Sequence, residues 1–233
     1  MTEALFKHDA YLQECKAEII VSDNEFVVLD KTVFYPTGGG QPGDTGKITW
    51  NDNSIDVIDT RYSKNGEIQH FLKNNNPLPS EGVTVKAEIN WDRRYRHMRM
   101  HTALHLLGSI LKYGVTGGNI SAEKSRLDFD MSEPVDKDAV DEALQKLVKK
   151  NITIKSTWIS DEELDAQPDL VRTMSVKPPK GLGKVRLLEI EGIDLQPCGG
   201  THVKSTGEIG CVKLGKVEKK GKRNRRVYIK LMD

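Results

Sequence analysis

The hydrophobic period of the chain changes at Trp91, and that change limits the folds open to it. Before Trp91 the apolar residues alternate or cluster in short β-branched runs: 18–22, 25–35, 46–50, 54–59, 67–72 and 83–90. Turn residues separate them: Asn51-Asp52-Asn53, the Asn65-Gly66 pair, and the segment from Asn74 to Glu81 with its two prolines. Many short strands at near-regular spacing predict a small barrel or sandwich.

After Trp91 the period becomes helical. Asp92 stands where a cap belongs for a helix from about Arg94 to Lys112, with Leu104, Leu107, Gly108 and Leu111 as a buried stripe. A glycine-containing loop, Gly114 to Gly118, and a strand over 125–129 follow. Asp136 can cap a second helix over 137–150, whose apolar face is Val140, Ala143, Leu144, Leu147 and Val148. Segment 152–158 alternates as a strand, and Ser160 with Glu163 fits a capping box opening a short helix before Pro168. Pro178-Pro179 with Gly181 and Gly183 reads as a loop, and strands are predicted over 184–191, 210–217 and 225–231. The fold class is therefore α+β. An N-terminal small β-barrel domain, residues 1–90, precedes an α+β domain with an antiparallel sheet, residues 91–233.

Composition removes whole classes of function. No apolar run approaches the roughly eighteen residues of a membrane span, and the N-terminus lacks a basic region followed by an apolar one. Three cysteines, Cys15, Cys198 and Cys211, are too few for a disulfide framework, and their odd number points to a reducing cytoplasm. Cys15 and Cys211 have no partner motif, and Trp50, Trp91 and Trp158 read as core residues.

Two short motifs carry the chemistry. In His101-Thr-Ala-Leu-His105, residues four apart on a helix share a face, so both imidazoles can reach one ion. In Cys198-Gly-Gly-Thr-His202, a thiolate and an imidazole share a glycine-rich turn that can bend both towards a point. Nitrogen and sulfur donors of this kind suit Zn2+ in a tetrahedron. His97 lies one helical turn before His101; it can stand in for His202 or, the preferred reading, face solvent or RNA. Thr102 occupies the position after the first histidine where a zinc-protease helix carries its glutamate, so that kind of general base is missing. Ligand spacing leaves both a closed structural site and a catalytic site open.

Two further features stand apart. The stretch Thr37-Gly38-Gly39-Gly40-Gln41-Pro42-Gly43-Asp44-Thr45-Gly46 lets the backbone approach a ligand closely, or is a flexible turn; without Gly-Lys-Ser/Thr it is no phosphate-binding P-loop. At the C-terminal end, Lys213, Lys216, Lys219, Lys220, Lys222, Arg223, Arg225, Arg226 and Lys230 have only Glu218 as an acidic neighbour, although the whole chain carries a net charge of just +1. Such a patch suits phosphate backbones, and Arg93, Arg94, Arg96 and Arg99 add a second basic element beside the histidines.

The His101–His105 motif, the Cys198–His202 motif and Phe34-Tyr-Pro-Thr-Gly-Gly-Gly-Gln-Pro-Gly-Asp-Thr-Gly46 together resemble the editing region of alanyl-tRNA synthetase. More closely they resemble its free-standing relatives, the AlaX trans-editing proteins, in the medium-length form with an N-terminal β-domain. The resemblance runs from about residue 25 to residue 231. It implies a zinc-dependent editing domain over 91–233 that hydrolyses the ester of tRNA(Ala) mischarged with serine, and possible activity on glycine. It implies His101, His105, Cys198 and His202 as zinc ligands, Gly38, Gly39, Gly40 and Gln41 against the aminoacyl group, and Thr116 as partner of the serine hydroxyl. Asn119 stands where the synthetase carries a glutamine. Arg225 and Arg226 are the expected tRNA contacts of the basic stretch. No ATP-binding or aminoacylation domain and no membrane partner is expected. Two rival functions remain: a non-catalytic RNA-binding module with structural zinc, and an editor of another mischarged tRNA.

Overall fold

Eight strands precede Trp91 in the computed structural model, which describes residues 2–73, 77–171, 173–174 and 183–232; all but β1 fall on the expected segments. The Asn74–Asn76 part of one expected turn and the expected loop at Pro178, Pro179 and Gly181 lie outside the described residues. The strands are β1 (Glu3–Ala4), β2 (Glu14–Ser22), β3 (Phe26–Leu29), β4 (Lys31–Thr32), β5 (Gly46–Trp50), β6 (Asn53–Tyr62), β7 (Ile68–Leu72) and β8 (Thr84–Ile89). Six of them close an antiparallel barrel in the order β2-β3-β7-β6-β5-β8, leaving no free edge. The two-residue period decides which side chains turn inward: Ile55 and Val57 on β6, Ile68 and Leu72 on β7, Val85, Ala87 and Ile89 on β8. The run 25–35, expected as one strand, breaks at Asp30. Its carboxylate accepts from the Glu18 and Lys31 N–H groups (2.7 and 2.8 Å), and β4 then leaves the barrel to pair in parallel with β1.

Two compact units, residues 1–96 and 97–233, are connected by helix α1, Trp91–Leu111. The division falls six residues beyond the expected one because the first turn of α1 belongs with the barrel: Arg94 is wholly buried there among Asp44, Ala10 and Val33. The helix is capped by Asn90, not Asp92, for Asn90 Oδ1 accepts from the Arg93 N–H (3.1 Å). Residues 97–109 are buried on every face, so the expected single apolar stripe is replaced by a helix with no solvent side over three turns. Its buried polar side chains must therefore find partners within the protein.

The second unit carries β9 (Val115–Asn119), β10 (Ser125–Asp130), α2 (Lys137–Lys149), β11 (Ile154–Ile159), α3 (Asp161–Asp165), β12 (Val185–Ile190), β13 (Asp194–Pro197), β14 (Val212–Gly221) and β15 (Asn224–Leu231). They form a four-stranded sheet, β14-β15-β10-β9, and a three-stranded one, β11-β12-β13, both antiparallel. Asp136 caps α2 by accepting from the Ala139 N–H (3.1 Å), and Ser160 and Glu163 form the expected capping box. Strand β9 occupies what reads as a loop. Its glycines lie against β10, where a Cβ at Gly118 would come within 3.1 Å of Leu127 Cδ2. Trp50 is buried and Trp91 stacks on Tyr95 (centroids 5.4 Å), but Trp158, expected in the core, is 44% exposed on the edge strand β11. Among the described residues no helix is long and apolar enough to cross a membrane.

Candidate metal centre

His101 and His105 lie one turn apart on α1, their ring centroids separated by 5.2 Å. Strand β13 delivers Cys198 at its end, and the turn from Cys198 to His202 is shaped by Arg186 of β12. The Arg186 Nε donates to the Cys198 carbonyl (3.0 Å), its Nη2 donates to the Gly200 carbonyl, and the Cys198 N–H returns a bond to the Arg186 carbonyl (3.0 Å). The side chains of His101, His105, Cys198 and His202 converge, with one potential ligand atom from each lying within 4.8 Å of all the others. Cys198 Sγ is 3.6 Å from His101 Nε2 and 3.2 Å from His202 Nε2. Tetrahedral zinc, with Zn–S near 2.3 Å and Zn–N near 2.0–2.1 Å, requires sulfur and nitrogen about 3.5 Å apart. Three imidazoles and a thiolate at this spacing fit the ion.

The outward ring nitrogens are also engaged. His105 Nδ1 lies 3.3 Å from Asp194 Oδ2, and Gln196 donates to the same carboxylate. His202 Nδ1 lies 3.2 Å from Thr102 Oγ1. Gln196 Nε2 also lies 2.7 Å from His105 Nδ1, so Asp194 and Gln196 together support the outward side of that ring, as the partners of metal-binding histidines do. Burial by itself would raise the Cys198 thiol, yet His101 and His202 beside it draw it well below the ordinary thiol range. Burial holds His101 and His202 below the usual imidazole value. Burial acts on His105 in the same direction, but Asp194 and Cys198 outweigh it and raise that ring to about 9. A thiolate and neutral imidazoles are the protonation states a metal needs, and the His105 proton is the one an ion displaces.

The other expected site residues divide. His97 is 2% exposed and outside the four-residue group, so it neither replaces His202 nor faces solvent. Thr116, on β9, donates its hydroxyl hydrogen to the Asp128 carbonyl (3.2 Å) and accepts from Asn224 Nδ2 (3.1 Å). Asn119, at the end of the same strand, is exposed. Gly38 and Gln41, in the first unit, exchange main-chain bonds of 3.1 and 2.9 Å around Gly39 and Gly40, whose φ values of 57° and 81° make a type I′ turn. The loop is tied down rather than flexible: a Cβ at Gly43 would lie 2.0 Å from the Thr60 carbonyl oxygen.

The arginines are corrected by their partners. Arg225 is 9% exposed and donates to the Ser132, Gly221 and Asn224 carbonyls, so it is a structural residue and not a free phosphate contact. Arg226 grips Asp128 at 2.8 and 2.9 Å. Arg93 donates to the Gly43 carbonyl (2.7 Å), and Arg99 to that of Ile209 (2.9 and 2.8 Å). The exposed positive charge of the C-terminal hairpin falls instead to lysines such as Lys213, Lys219, Lys222 and Lys230. Sequence reasoning missed Asp194, Gln196 and Arg186. A signal for the first two existed: counting back by two from Cys198 along an extended strand puts 196 and 194 on its face.

Residues 2–93 match the family model described as tRNA synthetases class II (A), and residues 185–228 match the threonyl and alanyl tRNA synthetase second additional domain. The chain is 39% identical over 246 residues to the alanyl-tRNA editing protein AlaX-M of Methanosarcina acetivorans, covering all of both chains. It is 39% identical over 236 residues to AlaX-M of Saccharolobus solfataricus, covering 98% of each. It is 36% identical over 223 residues to the alanine–tRNA ligase of Ignicoccus hospitalis, covering 91% of this chain and 24% of the ligase. With its whole length matched and its histidines and cysteine gathered at one point, the chain belongs to the AlaX-M family of alanyl-tRNA editing proteins.

Proposed function

We propose that this protein acts in trans in the cytoplasm to hydrolyse the ester joining a wrong amino acid to tRNA(Ala), chiefly serine and secondarily glycine. The observation that carries the reading is the four-ligand group, with three buried histidines and a half-buried cysteine, built from motifs 97 residues apart in a chain similar throughout to proteins named for alanyl-tRNA editing. His101, His105, Cys198 and His202 would hold Zn2+, which when bound supplies a Lewis acid for an ester carbonyl.

The chain's own residues perform the selection. The Thr116 hydroxyl gives its hydrogen to Asp128 and fills one lone pair from Asn224, so a single acceptor position remains. The serine hydroxyl donates there. Alanine has no donor, and an aminoacyl group that leaves the part-buried Thr116 acceptor unpaired is disfavoured. Asn119 is assigned a polar contact beside it, and Gly38, Gly39, Gly40 and Gln41 a part in selecting the amino acid. The exposed lysines of the β14–β15 hairpin meet the phosphates.

The test is hydrolysis of Ser-, Gly- and Ala-tRNA(Ala) with and without chelation. Serine released, alanine spared and activity lost on chelation is the expected result; Thr116→Val should lower serine release at least tenfold with zinc retained. A non-catalytic RNA-binding module is the reading favoured by four protein ligands, the pattern of a closed site. Bound zinc and intact tRNA binding with no hydrolysis would establish it.

A further inference from the structure

We propose that Thr102 is the positioning residue that sets the tautomer of His202 and seats the Cys198–His202 turn on α1; this rests on the metal site of the proposed function. The side chain is wholly buried. A threonine hydroxyl has one hydrogen and two lone pairs. Thr102 Oγ1 lies 2.8 Å from the Met98 carbonyl oxygen, which can only accept, so the single hydrogen is committed there. Two neighbours remain, and each must donate. The Val203 N–H does so at 3.4 Å. The other is His202 Nδ1, at 3.2 Å.

Counting hydrogens therefore decides the ring. Thr102 has none left to give, so His202 carries its own on Nδ1 and presents a bare Nε2 to the cluster, 3.2 Å from Cys198 Sγ. All three valences of one hydroxyl are used, and two of them draw residues 202 and 203 onto a helix 100 residues earlier in the chain. The slot that in a zinc protease offers an acceptor to water here turns inward to hold a ligand. Thr102 thus joins the two motifs without being one of the four converging side chains.

Three forms of the full chain are needed: wild type and the variants Thr102→Val and Thr102→Ser. Nitrogen-15 NMR of the His202 ring should show the proton on Nδ1 in the wild-type protein. Competition with a zinc chelator should show ten- to a hundredfold weaker zinc retention in Thr102→Val, the range typical of losing a ligand's supporting partner. Thr102→Ser, which keeps the hydroxyl, should recover most of it. A wild-type ring with Nδ1 bare would overturn the inference, and that measurement needs no variant to fold. Wild-type zinc retention in Thr102→Val would overturn it equally. Zinc-loaded wild-type protein that fails to hydrolyse Ser-tRNA(Ala) would overturn the proposed function and leave the tautomer result standing.

Discussion

Arg94 and Asp44 form an ion pair whose side chains are 0% and 1% exposed, although 50 residues separate them in sequence. The Arg94 Nε lies 3.1 and 2.9 Å from the two carboxylate oxygens, and the guanidinium also donates to the Ala10 and Val33 carbonyls. Asp44 further accepts from the Tyr35 N–H (2.6 Å). One arginine thus ties the N-terminal segment, the end of the glycine-rich loop and the start of α1 together. Removing one member of a buried pair strands the other's charge. Arg94→Met should cost about 3–5 kcal/mol in urea unfolding of the first unit. Asp44→Asn should cost a similar amount, and the double variant should cost less than the two singles together.

Asp194 should govern how tightly the ion is held. Its carboxylate contacts His105 Nδ1, and Gln196 lies against both that carboxylate and the same ring nitrogen. Asp194→Ala should weaken zinc retention by about ten- to a hundredfold in chelator competition, against an essentially complete loss in Cys198→Ala. Equal retention in Asp194→Ala and wild type would remove Asp194 from the site.

His70 gives the barrel a pH dependence of its own. Its ring is wholly buried, with Nδ1 3.2 Å from the Val27 carbonyl and Nε2 2.8 Å from Thr32 Oγ1. Burial lowers it to about 4, with the Val27 bond opposing in part. The unfolded ring titrates near its ordinary 6.5. Between these values the unfolded chain binds more protons, so stability is present above pH 6.5 and declines as the pH falls towards 4. The loss should approach about 3 kcal/mol, read as the difference between wild type and His70→Gln in unfolding free energy against pH. Parallel curves for the two proteins would contradict it.

The hairpin lysines and Arg225 should behave differently. Replacing Lys213, Lys219, Lys222 and Lys230 by alanine should weaken tRNA binding and flatten its salt dependence. The log–log slope should fall by up to about 0.9 for each phosphate no longer neutralised. Arg225→Ala should instead lower the unfolding temperature and leave that slope alone, because its guanidinium serves the Ser132, Gly221 and Asn224 carbonyls.

Local signals explain what was legible in the sequence. The barrel strands and α2 follow from residue period, and Asp136 and Ser160 announce their helices because a cap acts over three residues. The four candidate ligands were readable for the same reason, each pair lying four residues apart. What escaped depends on distant neighbours. Strand β9 is glycine-rich and exists through its pairing with β10. The arginines advertise charge but not their partners, so Arg94 and Arg225 read as surface residues. Asp194 and Thr102 acquire their meaning only when β13 and the Cys198–His202 turn meet α1.

The order of those segments also governs when the centre can come into being during synthesis. Cys198 follows His101 by 97 residues. At about 5–20 residues per second, a growing chain holds the histidine pair for roughly 5–20 seconds before the thiolate is made. During that interval the nascent protein owns half a coordination sphere, and two imidazoles compete poorly for a scarce cation. The barrel, whose strands all precede α1, has no such wait. The four side chains can therefore gather only late on the ribosome or after release, and a translation product ending before Cys198 would have a barrel and a lone histidine pair, with no way to complete the group.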